Sequence, residues 1–190
     1  MRAPTTTTFL LTLAFGIAGC SPARSDTVRA VEVGAATLCT ETRGFHDGDT
    51  FACLSAGWAD DRGGAAAVVV RLAGLDAPET GQAHWRSARD RLQQLAAPGT
   101  AVRCYKTDRY ARHVCRVQSP SGQDIVEILL REGWAWHSVA YLTEQSPDER
   151  SRYADAERAA RAERNGLWKE PDPQAPWDCR RSKERRQRCR

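Results

Sequence analysis

The sequence has no apolar run long enough to cross a bilayer, no C-x-x-C pair and no internal repeat. Its longest apolar stretch, Phe9 to Ile17, is nine residues, whereas a membrane helix needs about 20. A multi-span membrane protein is therefore excluded. The missing C-x-x-C, with His46 and His113 away from finger spacing, argues against a structural zinc site. No serine, histidine or cysteine arrangement has the coherence of a nucleophilic catalytic set. What is present looks globular. Apolar residues make up 41% and charged residues 27% of 190 positions, which rules out a collagen-like or wholly disordered chain and allows one domain with short tails. A formal net charge of +4 permits nucleic acid or an anionic membrane as partner and selects neither. Seven cysteines point to an oxidising location, and the odd one needs its own explanation.

Arg2, the apolar run and the small residues after it read as an export signal. The closing Ile17-Ala18-Gly19-Cys20 also resembles the lipobox of bacterial lipoproteins. That resemblance implies a signal peptide over 1–19 and a diacylated Cys20 as mature N-terminus and membrane anchor. Ser21, with no aspartate there, resembles cargo sent on to the outer membrane. The alternative is general signal cleavage near Gly19, with Cys20 paired or free. Residues 20–34 then form the acylated N-terminus and a polar tether.

Past the tether, short β-type runs are separated by turn chemistry: one ending near Leu38-Cys39, then Thr50 to Leu54, Val68 to Leu72, Thr100 to Lys106 and His113 to Gln118. Ser55 to Gly64 is polar and Gly-rich, and it reads as a long mobile hairpin tip. Gln82 to Ala97 carries Trp85, Ala88, Leu92 and Leu95 on one helical stripe. Asp124 to Glu127 opens a second helix like a capping box, and Gly133 stops it. Ser146-Pro147-Asp148-Glu149 opens a third, which should run to Asn165-Gly166. Five short strands and three helices predict a β-rich α+β domain over 35–170, built as a small closed barrel with helices packed on it. Residues 171–190 are Pro-rich and then strongly basic, with a net charge of +6 over 179–190.

With Cys20 set aside, six cysteines allow fifteen pairings. Sequence neighbours fall on adjacent runs or within the tail, so Cys39-Cys53, Cys104-Cys115 and Cys179-Cys189 is the economical set.

Three polar segments carry the chemistry. Asp47-Gly48-Asp49-Thr50 is a turn signal between two runs. In the next run Val70 and Leu72 share one face, so Arg71 takes the other, where an arginine needs an anionic partner. Asp76 and Glu79 lie just past that strand, around a bend at Pro78; either alone could serve the N-terminus of the first helix. Thr107-Asp108-Arg109-Tyr110-Ala111-Arg112 fills the turn between the last two strands. Brought together, two aspartates and a backbone carbonyl make an oxygen site for a hard cation such as Ca²⁺. Two arginines can clamp a phosphodiester, and a free carboxylate can deprotonate water. These groups point to metal-assisted phosphodiester hydrolysis.

Over about 35–177 these motifs resemble the staphylococcal (micrococcal, thermo-) nuclease family: D-G-D-T at 47–50, R-L-x-G-x-D-A-P-E at 71–79, D-R-Y-x-R at 108–112, Gly133-Trp-Ala-Trp136, and a stretch ending Asn165-Gly-Leu-Trp168. The resemblance implies a five-stranded OB-fold barrel with three helices. It places calcium ligands at Asp49, Asp76 and the Ala77 carbonyl, with Asp47 behind them. It implies Glu79 as the acid near the attacking water and Arg71 and Arg112 as phosphate-binding arginines. Arg109, Tyr110 and Tyr141 would contact substrate. The implied activity is calcium-dependent cleavage of DNA or RNA to 3′-phosphate ends, by an exported, envelope-anchored monomer. The rivals are a non-catalytic OB module that binds nucleic acid and a structural envelope protein with a basic tail. Ala111 departs from the family glycine, and His46 stands where an apolar residue is usual; a solvated turn histidine explains the latter.

Overall fold

The computed structural model describes residues 36–59, 63–184 and Cys189. The expected signal peptide, Cys20 and the tether lie outside the described residues. In chain order the elements are β1 (Ala36–Leu38), β2 (Glu41–Arg43), β3 (Thr50–Ala59), β4 (Ala65–Leu72), β5 (Leu75–Asp76), α1 (Trp85–Leu95), β6 (Ala101–Thr107), β7 (His113–Gln118), α2 (Ile125–Arg131), β8 (Trp136–His137), α3 (Pro147–Glu163) and α4 (Pro176–Glu184).

The main sheet runs in the order β1-β6-β7-β4-β3-β2, and its two outer strands are consecutive in sequence. Only Cys39 and Thr40 separate them. Cys39 N–H donates to Thr100 O at 2.8 Å beside β6, and Thr40 N–H donates to Leu54 O at 2.8 Å on β3. Neighbouring residues thus bond to opposite edges, and β1 with β2 acts as one bent strand that closes a five-stranded barrel. All pairings in this sheet are antiparallel except β4 with β7. The β-rich α+β fold read from the sequence is the fold observed.

The barrel interior follows the period of two. Phe51 and Cys53 from β3, Val68, Val70 and Leu72 from β4, Val102 and Cys104 from β6, and Cys115 and Val117 from β7 are all buried. Helices α1 and α2 cap it with Leu92, Ile125, Val126, Leu129 and Leu130. Three disulfides join Cys39 to Cys53, Cys104 to Cys115 and Cys179 to Cys189. The first staples the bent strand to β3, and the second links register partners of β6 and β7.

Several boundaries differ from the sequence reading, each for a physical reason. Residues 55–59 continue β3, with a register shift between Ser55 and Ala59, because Ser55 and Trp58 are buried. Helix α1 starts three residues late: His84 is left-handed at φ 64°, and the Gln82 side chain is committed to loop backbone. At α2, Asp124 caps by accepting from Val126 and Glu127 N–H, but the Glu127 carboxylate pairs with Arg152 and does not complete a capping box. At α3 the box is complete: Ser146 accepts from Glu149 N–H and Glu149 accepts from Ser146 N–H. That helix ends at Glu163, where Arg164 turns left-handed at φ 56°.

Of the stretch after 170, read from composition as a Pro-rich and basic tail, the described part folds back on the domain. Ala175 joins a second apolar cluster with Trp136, Ala160, Leu167 and Trp168. Trp177 meets Trp136 edge-on at 6.4 Å, Cys179 is buried, and Gln82 Nε2 donates to Gln174 O at 2.8 Å. Apolar side chains therefore dock α4, and its charges follow.

Candidate active site

The register of β3 against β4 sets Thr50 opposite Arg71, so the acid-bearing turn before β3 lies beside the end of β4. Leu72 N–H donates to Asp49 O at 2.9 Å and locks the two together. Gly48 is small because it must be: a Cβ there would stand 2.6 Å from the Ala88 Cβ of α1. The Asp47-Gly48 step is thus a close approach to a helix, not a left-handed turn. Asp76 is positioned by a pairing the sequence reading did not contain, β5 with β8, which sets Asp76 opposite Trp136.

Asp49 is buried and surrounded by donors. Its Oδ1 accepts from Thr50 Oγ1 at 2.7 Å, and its Oδ2 accepts from Ala77 N–H at 3.2 Å and meets Arg71 Nη1 at 3.1 Å. Burial pushes this carboxyl up, yet the Arg71 charge and the hydrogen bonds bring it below the usual range. Asp47, whose Oδ1 accepts from Asp49 N–H at 3.2 Å, is pushed up to about 7 by burial and by the charge of Asp49. Two neighbouring acids are thereby split into a charged one and a readily protonated one.

Arg71 is built into the floor. Its Nη1 donates to Leu72 O and Leu75 O at 3.1 and 3.2 Å, and its Nη2 reaches Asp76 Oδ1 at 3.4 Å. One guanidinium therefore ties Asp49 and Asp76 to the β4–β5 turn. A second arginine, which the sequence reading did not single out, completes the cluster. Arg180 of α4 donates from Nη2 to Asp76 Oδ2 at 2.6 Å, and from Nη1 to Asp76 Oδ1 at 3.2 Å and Glu79 Oε1 at 2.7 Å. Burial holds the Asp76 carboxyl above its usual range despite these partners. Glu79 is steadied from behind by Gln82, whose Oε1 accepts from Glu79 N–H at 2.7 Å.

On its other side Arg71 borders a cleft of about 110 Å³, also lined by Lys106, Asp108, Arg112, Tyr141 and Glu144. Arg112 is aimed by Asp108: Nε donates to Oδ2 at 2.8 Å and the Arg112 N–H to Oδ1 at 3.0 Å. Ala111 holds this loop at φ 60°, the left-handed conformation the glycine departure raised. Tyr141 is exposed, with Lys106 5.5 Å from its ring centre. Arg109 and Tyr110 are not in the cleft wall; exposed Tyr110 carries Arg109 and Arg112 over its ring at 4.8 and 5.3 Å. His46 is exposed, as a solvated turn residue would be.

The structure thus brings Asp47, Asp49, Asp76, Ala77, Glu79 and Arg71 to one end of the barrel, with Arg112 and Tyr141 across the adjoining cleft. The oxygen donors suit a hard cation in kind. In the arrangement seen, Asp76 and Glu79 are held by Arg180, and no group of three acidic, histidine or cysteine side chains among the described residues is disposed to ligate a metal.

A small OB-type barrel with acids and arginines at one rim is the class these observations define. The family model described as "Staphylococcal nuclease homologue" matches residues 69–170, and the chain belongs to that family. It is 39% identical over 122 residues to a micrococcal nuclease of Shigella flexneri, covering 60% of this chain and 68% of that protein. It is 32% identical over 151 residues to an uncharacterized endonuclease of Escherichia coli, covering 77% and 90%. It is 36% identical over 115 residues to the staphylococcal-like nuclease CAN1 of Arabidopsis thaliana. The matched part spans about a third (33%) of that plant protein's length.

Proposed function

We propose that this protein is an exported, calcium-dependent nuclease that hydrolyses phosphodiester bonds of DNA or RNA and leaves 3′-phosphate ends. The observation that carries the reading is the convergence of Asp49, Asp76, Glu79 and Arg71 beside a cleft that Arg112 lines. The nuclease names of the relatives support it. Asp49, Asp76 and the Ala77 carbonyl would hold the cation, with Asp47 behind them. When bound, Ca²⁺ would draw in the phosphate and offset its charge. Arg71 and Arg112 would grip the non-bridging oxygens as negative charge grows on them. Glu79 would take the proton of the attacking water while the new bond to phosphorus forms. The bond from phosphorus to the 5′ oxygen then breaks, with Arg112 placed to assist the leaving oxygen. Tyr141 would rest against the nucleotide, and Arg109 and Tyr110 would meet the strand outside the cleft.

The chain acts, on this reading, as a monomer anchored through lipidated Cys20, with the nuclease domain at 35–170. Among the described residues no helix is long and apolar enough to cross a membrane. Labelled palmitate retained by the wild type and lost in Cys20→Ala supports the anchor; an unlabelled wild type refutes it.

The chain from Ser21 onward, with disulfides formed, is incubated with plasmid and single-stranded DNA in Ca²⁺ or chelator. Cutting only in Ca²⁺, reduced by about 10²-fold or more in Arg71→Ala and Glu79→Ala, supports the nuclease. Arg112→Ala should lose far more rate than affinity, and equal losses would contradict its role. The second reading, a module that binds without cutting, is favoured by one contact, the hold of Arg180 on Asp76 and Glu79. Tight binding with no cleavage at any Ca²⁺ concentration would establish it.

A further inference from the structure

Two arginines meet the acid cluster, and they differ in how firmly they are held. Arg71 is 16% exposed, shared among two carboxylates and two backbone carbonyls. Removing it would strand buried acceptors. Arg180 is 45% exposed, and among the described residues its hydrogen bonds go to the carboxylates of Asp76 and Glu79.

Its position matters as much as its hold. Arg180 Nη1 stands between Asp76 Oδ1 at 3.2 Å and Glu79 Oε1 at 2.7 Å, the point on which the two acids converge, while Nη2 covers Asp76 Oδ2 at 2.6 Å. A calcium ion seated on Asp76 needs an oxygen at about 2.3–2.6 Å, the space these nitrogens fill. Charge leads to the same exclusion. A divalent cation and the Arg180 guanidinium would both offset the negative charge of Asp76, and the same carboxylate oxygens cannot hold both. Chance contact of a loose basic segment does not explain the placement. Trp177 against Trp136, the buried Cys179 and its disulfide to Cys189 fix the helix whose next residue is Arg180.

We infer that Arg180, paired with Asp76 and Glu79, is an internal cation that occupies the divalent-metal position on Asp76, so that metal loading and the Arg180 contact are mutually exclusive. The inference rests on the reading of Asp76 as a metal ligand. The guanidinium keeps the acids neutralised where Ca²⁺ is scarce and yields where it is plentiful. Arg180 thereby raises the Ca²⁺ concentration at which the site fills.

The test is Ca²⁺ titration of the full chain, disulfides formed, by calorimetry, comparing wild type with Arg180→Gln, Arg181→Gln and Asp76→Asn. Arg181 is the matched control, since it precedes Ser182 on the same helix, pairs with Asp178 and carries the same charge. Arg180→Gln is expected to bind Ca²⁺ about 10-fold or more tightly than wild type, Arg181→Gln about equally, and Asp76→Asn not measurably, as competition for one site requires. Equal or weaker binding by Arg180→Gln overturns the inference. So does an equal gain in Arg181→Gln, which would assign the effect to the helix's general charge. If wild type and Arg180→Gln both fail to bind, the metal reading falls and this inference with it; if both bind alike, only the competition falls. A second readout needs no substitution. In ¹⁵N-arginine spectra of the wild type, Ca²⁺ should speed exchange of the Arg180 Nη protons, and protection unchanged at saturation refutes withdrawal.

Discussion

Replacing Gly48 by alanine is expected to pry the acid-bearing turn away from α1. The added Cβ would stand 2.6 Å from the Ala88 Cβ and 3.0 Å from the Ala77 Cβ. Carbon atoms pack at about 3.5–4.0 Å, so one side must retreat by roughly 1 Å. Ala88 is fully buried on a helix held to the barrel by Leu92, and it has little room to yield. Overpacking of this kind costs about 1–3 kcal/mol, which for a domain of this size lowers Tm by roughly 2–10 °C. The turn would carry Asp49 with it, so the hydrogen bond from Ala77 N–H should lengthen, and under the proposed function Ca²⁺ affinity should fall together with stability. Urea unfolding of Gly48→Ala, Ala88→Gly and the double variant checks the reasoning. Ala88→Gly alone costs about 1 kcal/mol in helix propensity, yet it removes the methyl that the new Cβ strikes. The double variant should therefore be more stable than the sum of the singles by about 1 kcal/mol. Wild-type stability in Gly48→Ala, or strict additivity in the double variant, would refute the close-approach explanation.

Glu149 is held down to about 2. Burial opposes this, but Arg116 and the Ser146 cap outweigh it. Because the folded value lies below the unfolded one, its contribution is present above about pH 4.5 and lost as pH falls toward 2. Glu149→Gln should cost about 1–2 kcal/mol at pH 7 after allowance for the half-exposed Arg116, and the gap to wild type in urea melts should close across that window. Ala111→Gly should stabilise the Asp108–Arg112 loop by about 0.5–1 kcal/mol, because residue 111 sits at φ 60°; a loss of stability in thermal melts would contradict the strain. Arg71→Lys cannot reproduce a fork onto two carbonyls and two acids. It should lose about 2 kcal/mol or more of stability, and an unchanged denaturation midpoint would show that the guanidinium is dispensable.

Local patterning carried most of the barrel into view. Alternation in β4 announced that Val70 and Leu72 face inward and Arg71 outward, and both apolar residues are buried. Ser146, Pro147 and Glu149 announced the start of α3 through chemistry confined to four residues. Neighbouring cysteines announced their pairs because each sits on adjoining strands or within one short segment. The late start of α1 and the β5–β8 pairing were beyond reach, since each depends on groups far along the chain: Gln82 answers to Gln174, and Asp76 stands opposite Trp136.

The candidate site divides along the same line. Asp49, Asp76, Glu79, Arg71 and Arg112 could be named from order and spacing, because turns and strand ends of a small barrel bring such groups to one rim. Arg180 could not, being one of seven basic residues in the last twelve, with nothing in its neighbours to set it apart. Its meeting with Asp76 spans 104 positions. It is made by the apolar grip of Trp136 on Trp177 and by burial of Ala175 and Cys179, long-range packing whose partners no local pattern encodes. The chain's own spelling therefore set the barrel and its acids, while the docking of α4 set which cation rests among them.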